Sequence, residues 1–265
     1  MSGIATRAIQ AEWTKLRSVR STRWTTLVLV GVTVGLTAFL AAVGSTDANR
    51  AGGTPGDDDV LVNSLRGVWL GQVAIVAFGA LAATSEFASG TIRTTLTAIP
   101  RRIVAFGAKV GVVGAVALGI GSAASVLSFL LAQPLLHEGG YVAPAYPAVS
   151  LSDALAFRAV AGSALYMTLL ALFAVGVATI VRHPATAMTV SVALVLVPTV
   201  VMEFFTGTLR ELLQQAAPSA GLAIQITTAR YDTPPLGPWG GLGVTAGWAA
   251  AALLVAAWTI GRRDV

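Results

Sequence analysis

Residues 159–181 read AVAGSALYMTLLALFAVGVATIV, an uninterrupted run of apolar and small side chains that carries no charge. A helix needs about 20 predominantly apolar residues to cross the hydrocarbon core of a bilayer. Lipid offers no hydrogen-bond partners, so the backbone of such a run must satisfy its own polar groups, as it does in a helix. The run therefore predicts a membrane-spanning helix.

Five more runs of the same kind lie on either side of the first. They are residues 24–43, 67–84, 110–133, 185–202 and 239–260. The whole chain of 265 residues is 55% hydrophobic and only 11% charged, whereas soluble domains carry about 25% charged residues. The alternation typical of a membrane barrel is absent. We therefore predict an all-α integral membrane protein, with one transmembrane domain over residues 1–265 and six spans.

The distribution of charge predicts the orientation of these spans. If the N-terminus is cytoplasmic, 12 of the 17 Lys and Arg residues fall on inside segments, while 9 of the 12 acidic residues fall outside. An excess of Lys and Arg on cytoplasmic segments sets topology. We predict a multi-pass protein of the cell membrane with both termini in the cytoplasm. The pI of about 10.2 then reflects topology, and no nucleic-acid partner is expected.

The first apolar run has an alternative interpretation as a cleaved secretory signal, because it follows a basic region. The run is longer than the roughly 7–15 apolar residues of such signals, and five further spans come after it. We therefore expect it to be retained as a span.

Two hydrophilic stretches are expected to be loops outside the membrane. Residues 45–66 contain GGTPGDDD, which indicates a flexible linker. Its run Asp57–Asp59 belongs either to a solvated loop or to a cation site, and we favour the loop because no further ligands follow at regular spacing. Residues 134–158 contain three prolines that are expected to prevent regular structure, namely Pro134, Pro144 and Pro147.

Two segments outside the spans have the periodicity of amphipathic helices. Near the N-terminus, Ile9, Trp13 and Leu16 fall on one face among basic residues, which predicts a helix lying on the cytoplasmic leaflet. In the loop 203–238, the sequence EFFTGTLRELLQQAAP predicts a second helix that ends near Pro218. Its apolar stripe comprises Phe205, Leu209 and Leu212. This outer helix either covers its neighbours or serves as a lid on a translocation path, and both interpretations stay open.

A short basic segment, SEFASGTIRTTLTAIPRR, separates the second and third spans at residues 85–102. Gly90 interrupts the preceding helix, Thr91 can cap a new one, and Pro100 prevents it from continuing. The apolar side chains share one face at helical spacing: Ile92, Leu96 and Ile99. Because so short a helix is marginal in water, it needs a surface to dock against. The protein's own cytoplasmic helix ends are one such surface, and a partner subunit is another.

This segment resembles the cytoplasmic segment between the second and third spans of ABC-2 type transporter permeases. Those proteins tend to show an acidic residue, a Gly-Thr pair, an apolar turn, and Pro followed by a basic residue. The matching residues here are Glu86, Gly90, Thr91, Leu96, Pro100 and Arg101. The opening AEWTKLRSVRSTRW and the closing RRDV also resemble such permeases from high-GC Gram-positive bacteria, and the six-span layout extends the resemblance over most of the chain.

The resemblance implies that residues 91–99 form a coupling helix, which docks into a groove on a separate ABC ATP-binding subunit. The residues implied in ATPase coupling are Glu86, Gly90, Thr91, Ile92, Arg93, Leu96, Ile99, Pro100 and Arg101. No G-x-x-x-x-G-K-[ST] phosphate loop occurs in the sequence, so ATP hydrolysis is expected of the partner. We expect this chain to bind no cofactor, the partner to use ATP-Mg, and the chain itself not to be an enzyme.

Six spans are half of the usual twelve, so the resemblance also implies a second permease copy. A homodimer is expected, and a heterodimer stays open. Four Gly-x-x-x-Gly pairs permit close helix approach, and we expect most of them to pack within the subunit. They are Gly31/Gly35, Gly67/Gly71, Gly107/Gly111 and Gly243/Gly247. Pro198 is expected to kink the fifth span, and whether that serves gating or packing stays open.

Other classes of membrane protein fit the sequence less well. Ion-coupled transporters keep ionisable residues inside the membrane, whereas Lys109 and Glu203 lie only at the ends of spans. The two histidines, His137 and His183, are predicted on opposite sides of the membrane, so neither a catalytic cluster nor a metal site is expected. A non-transporting sensor or immunity subunit stays open as an alternative. The uncharged spans suggest a lipophilic cargo for an exporter.

Overall fold

The chain forms a bundle of long helices. The computed structural model describes residues 2–18, 20–50, 58–88, 102–143, 146, 148–227 and 235–262, and no strand occurs among them. The helices are α1 (Ser2–Ser18), α2 (Arg20–Arg50), α3 (Val60–Ser64), α4 (Gly67–Ala88), α5 (Arg102–Glu138), α6 (Ala154–Val181), α7 (Pro184–Val201), α8 (Thr208–Ala216) and α9 (Pro238–Arg262). Two 3₁₀ segments, Met202–Phe204 and Pro218–Gln225, flank α8.

Six of these helices are long and apolar enough to cross a membrane, which confirms the predicted all-α membrane architecture with six spans. They are α2, α4, α5, α6, α7 and α9. Most bounds differ from the predicted spans by only a few residues. The exceptions are α2, which continues to Arg50, and α5, whose 37 residues measure about 55 Å at 1.5 Å per residue. Since a bilayer core is about 30 Å thick, α5 must extend beyond it.

Two of the stretches predicted to be loops are partly helical. The predicted linker 45–66 is helical as far as Arg50 and again in α3. Pro134, expected to break regular structure, lies inside α5. That prediction was wrong because tertiary packing supports the helix here: Ala132 and Leu136 are buried against Ala41 of α2. Pro144 and Pro147 lie outside the described residues.

Helix α6 occupies the centre of the bundle. In the most apolar 18-residue stretch of α6, 67% of the residues are buried. The corresponding value is 17% for the segment Pro184–Phe204, which includes α7. Helices α4, α5 and α9 pack around α6. The peripheral α7 follows after a tight turn in which Arg182 has a positive φ of 63° and the ring of His183 caps the new helix. Pro198 lies near the end of α7, and its predicted kink stays a prediction.

The Gly-x-x-x-Gly pairs are mostly on the outside of the chain, contrary to expectation. Only Gly67/Gly71 packs internally, because a Cβ on either residue would collide with Thr33 of α2. A Cβ on the other six glycines would meet no atom of the described residues within 4 Å. These are Gly31, Gly35, Gly107, Gly111, Gly243 and Gly247. The prediction that most pairs pack within the subunit was wrong, because the glycines of α2 and α9 lie on exposed helix faces and those of α5 face an open groove beside α1.

Helix α1 packs against the first turns of α5. The carboxylate of Glu12 is buried and pairs with Lys109 of α5 at 3.3 Å and with Lys15 at 2.7 Å. The three residues of the predicted apolar face differ in their burial. Leu16 packs on the core, whereas Ile9 and Trp13 are exposed. The helix itself is therefore present, and its position at a membrane surface stays a prediction.

Candidate functional site

The residues predicted to couple the chain to an ATPase fall almost wholly outside the described part of the structure. Glu86 lies in α4, near its last residue, and its side chain is outside the described part. The other eight, from Gly90 to Arg101, lie outside the described residues. Their coupling role therefore stays a prediction.

The predicted outer helix is present as α8, with a later start than expected. Leu209 and Leu212 share one face of α8, as the periodicity predicted, and that face is exposed. Phe205 is not helical, because it has an extended backbone with φ −118° and ψ 153°. The chain then turns at Gly207, where a positive φ of 67° delays the helix to Thr208. The predicted end was close, since α8 ends at Ala216 and Pro218 opens the next segment.

A cavity of about 960 Å³ lies beside α8, and we call it the α8 cavity. Its walls come from α2, the first turn of α4, the end of α7, α8 and the second 3₁₀ segment. The lining residues are Leu36, Leu40, Val62, Arg66, Trp69, Thr199, Met202, Glu203, Gly207, Arg210, Glu211, Gln214, Gln215, Ser219, Ala220, Leu222, Ala223, Gln225, Ile226, Pro235 and Leu236. The volume is in the range of small-molecule sites, which are clefts of about 300–1,000 Å³.

Helix α8 turns its polar side chains inward, the reverse of a helix on a water-soluble protein. Arg210, Glu211, Gln214 and Gln215 all line the cavity, while the leucines at 209 and 212 face outward. An amphipathic helix lying in a membrane interface places its apolar side toward lipid. The arrangement therefore suits a helix with lipid outside and a cavity inside, to which α8 contributes the polar side chains.

The charges around the α8 cavity differ in their depth. Arg66 is half-buried at the start of α4 and forms no ion pair with a described residue. Arg210 pairs weakly with Glu203 at 3.8 Å, and its side chain is 36% exposed against 61% for the glutamate. Glu211 is exposed. The two arginines thus lie deeper than the two carboxylates.

The inner wall of the cavity is the 3₁₀ segment Pro218–Gln225, most of which is buried within the bundle. Such irregular backbone is tolerated among membrane helices only where protein or a cavity surrounds it. Three side chains from the spans hold it in place. Thr245 Oγ1 donates to the Pro218 carbonyl at 2.7 Å, Thr199 and Ser219 share a hydrogen bond of 2.8 Å, and Gln225 Nε2 donates to Ser163 Oγ at 2.9 Å.

The end of this segment is fastened by Asp59, which is fully buried. Its carboxylate caps α3 by accepting from the backbone N–H groups of Leu61 and Val62. It also accepts from the Thr227 backbone N–H and, at 2.9 Å, from Thr227 Oγ1. We call this contact the Asp59 latch. The prediction of a solvated loop was wrong for Asp59, because these four donors satisfy its charge inside the protein.

Neighbouring polar groups tie the same loop to the end of α5. Tyr141 Oη donates to Asp58 Oδ2 at 2.9 Å and accepts from Asn63 Nδ2 at 3.4 Å. Burial of the Tyr141 hydroxyl, followed by its hydrogen bond to Asp58 and the charge of that carboxylate, raises the pKa of Tyr141. Asp58 is therefore also held in a specific contact.

Sequence reasoning missed the roles of Asp59 and Arg66. An Asp directly before a short apolar segment is the usual signal of a helix N-cap, and that signal was available at Asp59. Arg66 was counted only as a charge on the outer side. Its place beside Trp69 in a cavity depends on α2, α7 and α8, which no local pattern brings together.

A second, apolar groove of about 580 Å³ separates α1 from α5. Ile9 and Trp13 line one side, and Gly107 and Gly111 line the other. The predicted residues of the N-terminal helix therefore face a groove that lies along a membrane-type span.

No protein-family model matches the chain, and no curated protein matches it at significant similarity. The resemblance to ABC-2 permeases accordingly rests on the segment 85–102, the terminal sequences and the six-span layout.

Proposed function

We propose that the chain is the membrane-spanning permease subunit of an ATP-driven ABC-2 type exporter. The observation that carries this proposal is the α8 cavity, a space of ligand size with both polar and apolar lining at one end of a bundle of membrane-type helices. Polar groups between membrane helices are costly and mark substrate pathways. The predicted orientation places this cavity on the outer side, where an exporter releases its cargo.

Helix α4 offers a physical connection between the cavity and the predicted coupling segment. Trp69 lies in the cavity wall near its first residue, and Glu86 lies near its last. The 22 residues of α4 measure about 33 Å. A displacement at one end would therefore be carried to the other if the helix moves as a rigid body.

Close packing supports such rigid-body movement of α4. A Cβ on Gly79 would collide with the backbone of Ala171 in α6, so the two helices are in direct backbone contact. Tyr166 Oη of α6 also donates to Gln72 Oε1 of α4 at 2.6 Å. Movement of α4 would thus displace the central helix with it.

The energy for transport would come from a separate ATP-binding subunit, since this sequence contains no phosphate loop. ATP binding would close a pair of such subunits and move the segment 91–99 docked on them. The outward-facing glycine pairs on α2 and α9 support a second permease copy, because small residues let membrane helices approach closely.

The experiment first asks whether a gene adjacent to that of this chain encodes an ABC ATP-binding subunit, and then coexpresses that subunit with the chain. The double variant Ile92→Asp/Leu96→Asp adds charge to the predicted docking face. The matched control Thr94→Asp/Thr97→Asp adds the same charge to the opposite face. Membrane insertion, copurification and ATPase activity are measured in one preparation, together with ATP-dependent solute uptake by inside-out vesicles.

The proposal expects normal insertion of both variants, with copurification lost only in the first, because burying an unpaired charge costs several kcal/mol. Equal copurification of the two variants would overturn the coupling role of 85–102. ATPase coupling without any movement of solute would instead identify a sensor or immunity subunit.

A further inference from the structure

The α8 cavity combines an apolar wall with the half-buried charge of Arg66, which forms no ion pair with a described residue. The apolar surface of the cavity is formed by Leu36 and Leu40 of α2, Trp69 of α4 and Ile226. Arg66 lines the same cavity. Arg66 precedes Trp69 by three residues, about one helical turn, so the guanidinium and the indole belong to the same side of the cavity. A molecule that fills this space must present both an apolar body and a polar end.

The burial of the charged side chains around the cavity indicates which sign of charge the polar end of such a ligand should carry. Glu211 is exposed, and Glu203 is mostly exposed, so water and salt screen both carboxylates. Arg66 is partly removed from water and forms no ion pair with a described carboxylate, although its charge acts on Tyr141, which holds Asp58. A charge in a low-dielectric environment interacts far more strongly with a counter-ion than an exposed charge does. This difference in depth favours an anion over a cation beside Arg66.

We propose that the α8 cavity binds an amphipathic anion, with its acidic group on Arg66 and its apolar body along Trp69, Leu36 and Leu40. A guanidinium suits this task because its planar donors bind carboxylate or phosphate oxygens in pairs. This sharpens the expectation of a lipophilic cargo into one chemical class. The inference rests on the proposed export function only in naming the ligand as cargo, since binding is measured without the ATPase.

The test uses 11-(dansylamino)undecanoic acid and the alcohol of the same chain length, which share the dansyl group and the apolar chain and differ in the end group, charged in the acid and neutral in the alcohol. The purified full chain is held in nanodiscs of phosphatidylcholine, and empty nanodiscs supply the background. Energy transfer from tryptophan to the dansyl group reports binding, and Trp69→Phe should reduce that transfer if the ligand lies in the α8 cavity. The wild-type protein should bind the acid at least about tenfold more tightly than the alcohol.

Three variants at charged positions separate the site from general attraction. Arg66→Gln should abolish the preference for the acid and leave binding of the alcohol unchanged. Arg66→Lys should retain part of the preference, because it keeps the charge without the paired donors. Glu211→Gln should leave the preference within about twofold of wild type, because an exposed charge contributes little. An unfolding midpoint measured for each variant shows whether the fold is intact.

The outcomes separate this inference from the proposed function. Equal affinity for acid and alcohol in the wild type, or an acid preference that survives Arg66→Gln, would overturn the inference and leave the export proposal standing. Uptake of the acid into vesicles with ATP and the partner subunit would identify the ligand as cargo. Copurification of an anionic phospholipid that Arg66→Gln removes would identify the bilayer as its source, with the same anion-binding chemistry.

Discussion

Asp59 and Arg66 lie seven residues apart on either side of α3, and their charges differ in burial and in the partners that they contact. Asp59 is completely buried, and four donors from α3 and Thr227 satisfy it. Arg66 is half-buried beside a cavity and has no ion-pair partner among the described residues. A buried charge with a full set of partners is costly to disrupt, because removing one partner leaves the others unsatisfied. A partly buried charge without them is available to a ligand, and that difference separates the Asp59 latch from the α8 cavity.

The largest effect is expected from breaking the latch with Asp59→Ala. The change removes the cap of α3 and leaves the buried donors of Thr227 without their acceptor, at a cost of about 3 kcal/mol. The measurement is the thermal unfolding midpoint in detergent. Arg66→Gln, in the same assay, should unfold close to wild type. Equal midpoints for Asp59→Ala and wild type would show that the latch is not structural.

A smaller effect is expected from Tyr166→Phe at the centre of the bundle. Gln72 is fully buried, its Nε2 has no partner among the described residues, and its Oε1 depends on Tyr166. Removing that donor should cost about 2 kcal/mol. In the double variant Tyr166→Phe/Gln72→Leu, both polar partners are absent, and most of the stability should return. A double variant less stable than Tyr166→Phe would contradict this account.

The smallest effect concerns Tyr141, which holds Asp58 beside the latch. Its pKa is raised in the folded protein above the ordinary value of about 10, so the neutral hydroxyl is the favoured form. Its contribution to stability is therefore complete below pH 10 and is lost as pH rises through the raised value. Between pH 9 and pH 11 the wild type should lose stability more steeply than Tyr141→Phe, by at most about 1.4 kcal/mol per pH unit. Parallel curves would show that Tyr141 is not held by this contact.

The amphipathic helix of the outer loop shows how far a local pattern reaches. The leucines at 209 and 212 predicted a helix because their spacing matches its period, and α8 is present. Phe205 fits the same period and still lies outside the helix, because the positive φ of Gly207 interrupts the chain. Nor does the period tell which face of α8 meets lipid and which lines a cavity.

The six spans could be read from the sequence alone, because a run of about 20 apolar residues is stable in lipid whatever its neighbours are. Tertiary structure alone decided which polar groups acquire partners. Asp59 and Asp58 belong to one acidic run, and only the folded chain brings Thr227 to the first and Tyr141 to the second. The same holds for Arg66, whose cavity is formed by segments more than 100 residues away, such as α8. Hydrophobicity acts locally, whereas the partner of a charge is set by contacts between helices that are distant in sequence.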